Sequence, residues 1–341
     1  MANAMERIET TALHSLVQRI FAARGMRAGD AAMVADVLVW ADASGHPSHG
    51  VTRVPRYVEL AGRGDLDVTA EPVVAADSAA LVTIDGCNAP GAVAMAVALR
   101  EVRQRVAQHG IALAAVGRAG HIGPAGYYAQ QMVEQGMIAM IGASGIPLMA
   151  YHGTAAPTLS TAPLAIGVPS ADGPPLVLDM ASSVAAMGKI REAARRGEAI
   201  PPGWALTRDG EETTDPDAAH ILTPLGGPKG SGLAFMLECL TSLLAGAPVL
   251  APTLAGTLDI NRQSVFVVAI DVKRLRPLAD FTADVAALTA VVEAQPRADG
   301  VSQVLMPGAR SARHRAEARA HGGTIEVDEE LLATLRAMVG S

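Results

Sequence analysis

An α/β middle held between helical chain ends is the fold class this sequence predicts, on three observations. Apolar residues recur at helical spacing from Thr11 to about Gly62. After about Glu71, short β-like runs alternate with helical ones. Helical character then returns in an Arg/Ala-rich stretch at 309–320. The expected division places 1–72 and 248–341 in a discontinuous, mainly helical domain and 73–247 in an α/β domain.

Taken in order, Leu13, Leu16, Val17, Ile20 and Phe21 mark one face of a first helix. Asp30 stands where an N-cap is expected, ahead of Met33, Val34, Val37, Leu38 and Ala41, and Gly45 is a natural stop. A short helix is expected over about 52–62. The runs "AALVTID", "IALAAVG", "MIAMIGAS", "LAIGVPS" and "PLVLDM" read as strands. "AVAMAVALREVRQRVAQ", "GYYAQQMVEQG" and about 183–196 read as helices. "GEAIPPGWALTRDGEETTDPDAAH" is dense in Gly, Pro, Asp and Thr and reads as a long ordered loop. "KGSGLAFMLECLTSLLAG" opens on glycines and becomes helical, and "SVFVVAID" reads as a strand.

Half of the 341 residues are apolar, enough for a sizeable core. A net charge of −7 and 3% aromatics argue against a nucleic-acid surface, which needs basic patches and stacking rings. No apolar run reaches membrane-spanning length, and the N-terminus lacks a signal-peptide pattern. Cys87 and Cys239 form no metal or redox spacing, so no metal site is read and a reduced cytoplasmic setting is the expectation.

Four stretches carry candidate chemistry. "ASGHPSHGVTRVPRY", 43–57, crowds His46 and His49 together with Arg53 and Arg56. A histidine exchanges a proton near neutral pH, and an arginine grips a carboxylate through two parallel hydrogen bonds. The pair His49 and Arg53 thus suits work on a small anion; the alternative is a polar linker capped by Ser48. His46 is read as a turn residue. His121 in "RAGHIGPAGYYA" follows a strand, where open α/β sheets bind ligands, or else is an exposed turn histidine. "LGGPKGSGLAFML" sets Lys229 beside a helix start, a ready anion site, unless its glycines serve tight packing. Asp179 ends a β-like run and suits either a ribose hydroxyl or a cap on the following helix. The phosphate loop GxxxxGK[ST] is absent, as is a GxGxxG after a first strand, so an ordinary Rossmann domain is not expected.

These blocks resemble, in order and over nearly the whole chain, the malate/L-lactate dehydrogenase family. "SHGVTRVPRYVE" is similar to the family's SHG-x-x-R-x-P-x-Y block, and "GHIGPAGYYA" to NHFG-x-AGYY. "LSTAPLAIGVPS" is similar to LGTNPLA-x-x-P, and "LVLDMASSVAAMGKI" to LDMATS-x-x-x-x-GK. "LGGPKGSGLAF" resembles GGYKGYGLA. The resemblance implies a non-Rossmann mixed-sheet cofactor domain at 73–247 and NAD(P)-dependent oxidoreduction of 2-hydroxy or 2-imino acids. It also implies a homodimer with the site near the subunit contact and a small anionic carboxylate as substrate.

Carried over by position, His49 is the implied proton donor, as an imidazolium. Ser48 assists it, and His121 polarises the C2 substituent or orients His49. Arg53, Tyr57 and Thr161 are expected at the substrate. Cofactor contacts are expected from Leu176, Val177, Leu178, Asp179, Met180, Ala181 and Ser182, from Pro228 and Lys229, and from Gly308, Ala309 and Arg310. Asp179 inclines the cofactor toward NAD over NADP. Gly120, Ile122, Ala162 and Pro228 depart from the family's usual residues and make the pocket less polar. A cyclic 2-imino acid is the alternative substrate. A hydrolase using Ser48 or Cys87, or a cofactor-binding protein without catalysis, is the remote alternative.

Overall fold

The structure is a computed structural model that describes residues 4–257 and 262–340. Its centre is a seven-stranded sheet. The strand order is Val73–Ser78, Leu81–Asp85, Ile111–Ala119, Gln263–Asp271, Met137–Ser144, Leu164–Val168 and Leu176–Met180. Leu81–Asp85 runs parallel to Ile111–Ala119, and the other neighbouring pairs are antiparallel. This is a mixed sheet, as the resemblance implied.

The strand Gln263–Asp271 corrects the expected division of the chain. Its residues fall in the segment assigned to the helical ends, yet it pairs on both sides near the middle of the sheet. The reason is its composition. Val265 and Val267 are fully buried and Phe266 nearly so, a run apolar on both faces that only an interior strand can hide.

Helix Thr10–Ala22 buries the predicted stripe from Leu13 to Phe21. Helix Ala28–Ala43 follows, and Gly45, at φ +77°, turns the chain out of it. Asp30 does not cap this helix: the cap position is Arg27, and Asp30 sits in the first turn, where it accepts from Arg27 Nε at 2.6 Å. Helix Val54–Gly62 follows two short 3-10 turns, Pro47–His49 and Val51–Arg53. The helix expected from about 183 begins only at Met187. Two short strands, Ala205–Leu206 and Glu212–Thr213, lie in the expected long loop and join a five-stranded sheet.

The chain ends do come together. Met5–Glu9, a strand without an apolar pattern, pairs antiparallel with Thr324–Asp328. One hydrophobic core runs from Leu13 through Met95 and Val267 to Leu335, so the terminal helices and the sheet share a single interior. A second core gathers Met149, Ile190, Leu222, Leu237 and Phe266 beneath the five-stranded sheet.

Ile141, wholly buried on Met137–Ser144, tests this arrangement. Truncation to Ala should cost about 2–5 kcal/mol, from lost transfer energy plus a cavity. Urea unfolding would show it as a lower midpoint with unchanged slope.

Candidate active site

Ser48 and His49 end the first short 3-10 turn and Arg53 ends the second, so one tight bend carries three of the predicted site residues. The bend is held from below by Asp42, in the last turn of helix Ala28–Ala43. Asp42 Oδ2 accepts from the backbone N–H of Val51 at 2.8 Å. A Cβ on Gly50 would overlap the Asp42 carboxylate, which is why glycine must follow His49 here. Desolvation pushes the Asp42 carboxyl up to about 7, against the Val51 hydrogen bond.

His49 and His121 stack, with ring centroids 5.4 Å apart and an interplanar angle of 28°. His49 Nδ1 is 3.0 Å from Ser48 Oγ, and its Nε2 has no hydrogen-bond partner among the described residues. Burial, then the charge of Arg53, then His46 lower His49 to about 4. At neutral pH it is therefore an uncharged imidazole, not the imidazolium the sequence led us to expect. His121 is also held well below its usual value, by burial and then by His49 and Arg53. Its Nδ1 receives the Tyr57 hydroxyl at 2.7 Å and the Gly123 N–H at 3.3 Å. Two donors on Nδ1 assign the ring proton to Nε2. Tyr57 is buried with its hydroxyl committed to His121, so it positions that ring.

Arg53 Nε donates to the Ser48 carbonyl at 2.6 Å. The two terminal amino groups of its guanidinium have no partner among the described residues. Arg53, Tyr57 and His121 share a cleft of about 460 Å³, part of it open to solvent. Arg56 and Asp65 also line it, but both are already paired, with Glu59 and Arg63 respectively.

The residues expected at a cofactor form a second group along strand Leu176–Met180 and its continuation to Ser182. The backbone of Gly308 lies against Val177, and Val177 N donates to Pro307 O at 3.2 Å. That strand is an edge of the large sheet, and the 307–310 segment covers it there. Leu225 N donates to Ser182 O at 2.9 Å, and a Cβ on Gly230 would meet the same carbonyl at 2.6 Å, which brings the start of helix Pro228–Glu238 alongside. Lys229 is exposed in the first turn of that helix. Thr161 joins this second group: its carbonyl accepts from Ser182 N at 2.8 Å. Ala162, next to it, is fully buried at φ +33°, a conformation an L-residue adopts only under strain.

Asp179 answers its either-or differently from both readings. Its Oδ2 accepts from Gly126 N at 2.8 Å, so it caps helix Ala125–Val133, which follows His121, rather than the helix after itself. The carboxyl, ringed by protein, is pushed up to about 6 by desolvation, and its other oxygen has no partner among the described residues.

Three ties join the two groups. Asp179 holds the helix after His121. Gly188 packs on Ser48, where a Cβ would meet Ser48 Cβ at 2.8 Å. The helix that opens at Ala309, just after Gly308, docks on the bend before Ser48. There His46 Nε2 meets Ser311 Oγ at 2.9 Å, Arg315 donates to Ser44 Oγ at 2.9 Å, and the Arg315 guanidinium lies 4.9 Å above the Trp40 ring. His46 is thus a turn residue with a tertiary duty. Asp42 and Arg315 were not singled out in the sequence. An acid in the last turn of a helix opposes the helix dipole, and that was the available signal for Asp42.

A mixed sheet with a histidine pair, a free guanidinium and an adjoining strand-edge groove has the layout of a dehydrogenase, and comparison with known proteins agrees. The sequence pattern of the malate/L-lactate dehydrogenase family matches residues 8–336, and the chain belongs to that family. The ureidoglycolate dehydrogenase (NAD(+)) of Escherichia coli strain K12 is 35% identical over 242 residues, 71% of this chain and 69% of that protein. The L-sulfolactate dehydrogenase of Methanothermobacter thermautotrophicus is 33% identical over 322 residues, 93% of this chain and 92% of that protein. The crystal structure of a dehydrogenase from Sinorhizobium meliloti superposes with a TM-score of 0.88 at 33% identity, covering 99% of both chains.

Replacing Gly50 with Ala should destabilise the protein by about 1–3 kcal/mol, because the methyl and the Asp42 carboxylate compete for one space. In an Asp42→Ala background the same change should cost less. A double-mutant cycle by urea unfolding measures the difference, and strict additivity would show that the two sites do not touch.

Proposed function

We propose that the protein transfers hydride between a nicotinamide cofactor and C2 of a small 2-oxo or 2-hydroxy acid. The observation that carries this reading is the unpaired end of Arg53, in one cleft with His121 and next to the His49 ring stacked upon it. An unneutralised guanidinium in a partly buried cleft takes a carboxylate in bidentate fashion.

The chain's residues then divide the work. Arg53 holds the carboxylate. His121 donates from Nε2 to the C2 oxygen. His49, its ring fixed by Ser48, exchanges the proton through its free Nε2. As a neutral imidazole it is ready to accept the hydroxyl proton of a 2-hydroxy acid. For reduction it must first be protonated. A carboxylate on Arg53 cancels part of the charge that keeps His49 neutral, so an anionic substrate raises its own proton donor toward readiness.

The residues present fit a dinucleotide. Exposed Lys229 at a helix start and Arg310 suit phosphates, the free oxygen of Asp179 suits a ribose hydroxyl, and Gly308 lets backbone come close to the strand edge. A nicotinamide bound there supplies or accepts the hydride. Asp179 disfavours a ribose phosphate and so inclines the site to NAD, as does the cofactor in the name of the ureidoglycolate relative. The reading includes a homodimer: Phe235, Met236, Leu240 and Leu243, in the helical segment just after Lys229, leave an exposed apolar face that a second copy would cover. It also includes a cytoplasmic setting, which suits the free thiols Cys87 and Cys239.

The direct test follows loss of reduced-nicotinamide absorbance with NADH and NADPH against a series of 2-oxo acids; a series without turnover by either cofactor overturns the reading. Replacing His49 with Ala should lower kcat by ~10²–10⁴ while cofactor binding, read by nicotinamide fluorescence, persists. Arg53→Lys should act chiefly on KM, since it loses the fork, and a KM within about twofold of wild type would remove Arg53 from the substrate. With His49 at about 4 in the free protein, kcat/KM for hydroxy-acid oxidation should stay level as pH falls until about that value and then drop. In reduction kcat/KM should instead decline as pH rises above it. A break near His49's ordinary pKa in both directions would show that the depression is absent.

A further inference from the structure

The cleft beside Arg53 has a second property, which bears on the part of the substrate beyond C2. Its polar groups are mostly spoken for. Arg56 is bound to Glu59, Asp65 is bound to Arg63 at 2.8 Å, and the Tyr57 hydroxyl is bound to His121. Arg53 alone among the cleft's charged side chains keeps free donors, and the charge of Arg191 reinforces it there. What remains of the lining is hydrocarbon: Leu60, Leu66 and Pro90. Gly120, which also lines the cleft, cannot carry a polar side chain while Leu66 stays put. A Cβ there would meet Leu66 Cδ1 at 2.7 Å and the Ala89 carbonyl at 3.1 Å. Leu66 is 5% exposed and occupies the space that a residue at 120 would otherwise use.

We infer that this cleft selects a monocarboxylate whose tail beyond C2 is hydrocarbon, and that Leu66 is the residue that sets the selection. The inference rests on the oxidoreductase reading above and narrows its substrate. One carboxylate meets Arg53. A second carboxylate or a sulfonate would be set among Leu60, Leu66 and Pro90 with no unpaired donor and with the acid of Asp65 in the same cleft. Desolvating an anion without a partner is far costlier than the gain from a good fit elsewhere. A methylene in an apolar pocket, in contrast, is worth about 10–200-fold in discrimination.

The experiment compares kcat/KM for pyruvate, 2-oxobutanoate, 2-oxopentanoate and oxaloacetate, each with NADH and NADPH, in wild type, Leu66→Ala and Leu66→Met. In wild type kcat/KM should rise about tenfold per added methylene, and oxaloacetate should fall at least ~100-fold below 2-oxopentanoate. Leu66→Ala should shrink the ratio of 2-oxopentanoate to pyruvate by about tenfold, whereas Leu66→Met, which keeps the wall apolar and similar in volume, should retain it within about threefold. Oxaloacetate equal to or better than 2-oxopentanoate in wild type overturns the inference and leaves the oxidoreductase reading standing. An unchanged ratio in a folded Leu66→Ala protein removes Leu66 as its cause. If Leu66→Ala does not fold, the wild-type series and Leu66→Met still decide. No turnover with any acid overturns both the reading and the inference.

Discussion

The carboxylate of Asp42 beneath Gly50 is the constraint on which the site depends. A short bend is made of few hydrogen bonds and has little stiffness of its own. Here it is tied to the end of a long, well-packed helix by one charge-assisted bond to Val51 N–H, and the carboxylate fills the space a side chain on residue 50 would need. The helix brings rigidity from the core, and the bond passes it to Ser48, His49 and Arg53. The cost is an acid at the helix end where the macrodipole is negative and water is scarce, which shows in its raised pKa.

Around that bend the charges form a coupled set. Arg53 depresses both stacked histidines, and desolvation depresses them further. A neutral pair of rings in contact is stable where two imidazoliums would repel. Tyr57 and Gly123 fix the tautomer of one ring, and Ser48 fixes the other. The proton content of the site is therefore set by whatever anion meets Arg53, and substrate binding and proton uptake cannot be separated thermodynamically.

Helices with a clean apolar stripe, such as Thr10–Ala22, were legible in the sequence because burial alone dictates their period. The site motifs were legible as blocks, since His49, Arg53, His121 and Lys229 each sit in wording shared with a family. What the sequence did not reveal were partners distant along the chain. Tyr57 and His121 are 64 residues apart, and nothing local to either indicates their bond. Asp179 showed an acid at a strand end but not which helix it would cap. Gln263–Asp271 was readable as a strand, but its neighbours were not, because an apolar run on both faces fits any interior slot. Met5–Glu9 escaped because its exposed, charged alternation carries no hydrophobic signal. The protonation of His49 lay beyond the sequence for a related reason: it follows from enclosure, which only the assembled fold creates.

The late position of Gln263–Asp271 has a consequence for how the chain reaches this state. Ile111–Ala119 and Met137–Ser144 have no hydrogen bonds to each other; the strand between them is contributed more than a hundred residues later. During synthesis on a ribosome, two apolar strand edges must wait, open, for the chain to advance through the whole nucleotide-groove segment. Unpaired edges of this kind are where nascent chains stick to one another. The architecture thus obliges the cell to shelter a half-made sheet, and makes folding a slow, long-range event that is completed only when the C-terminal third arrives.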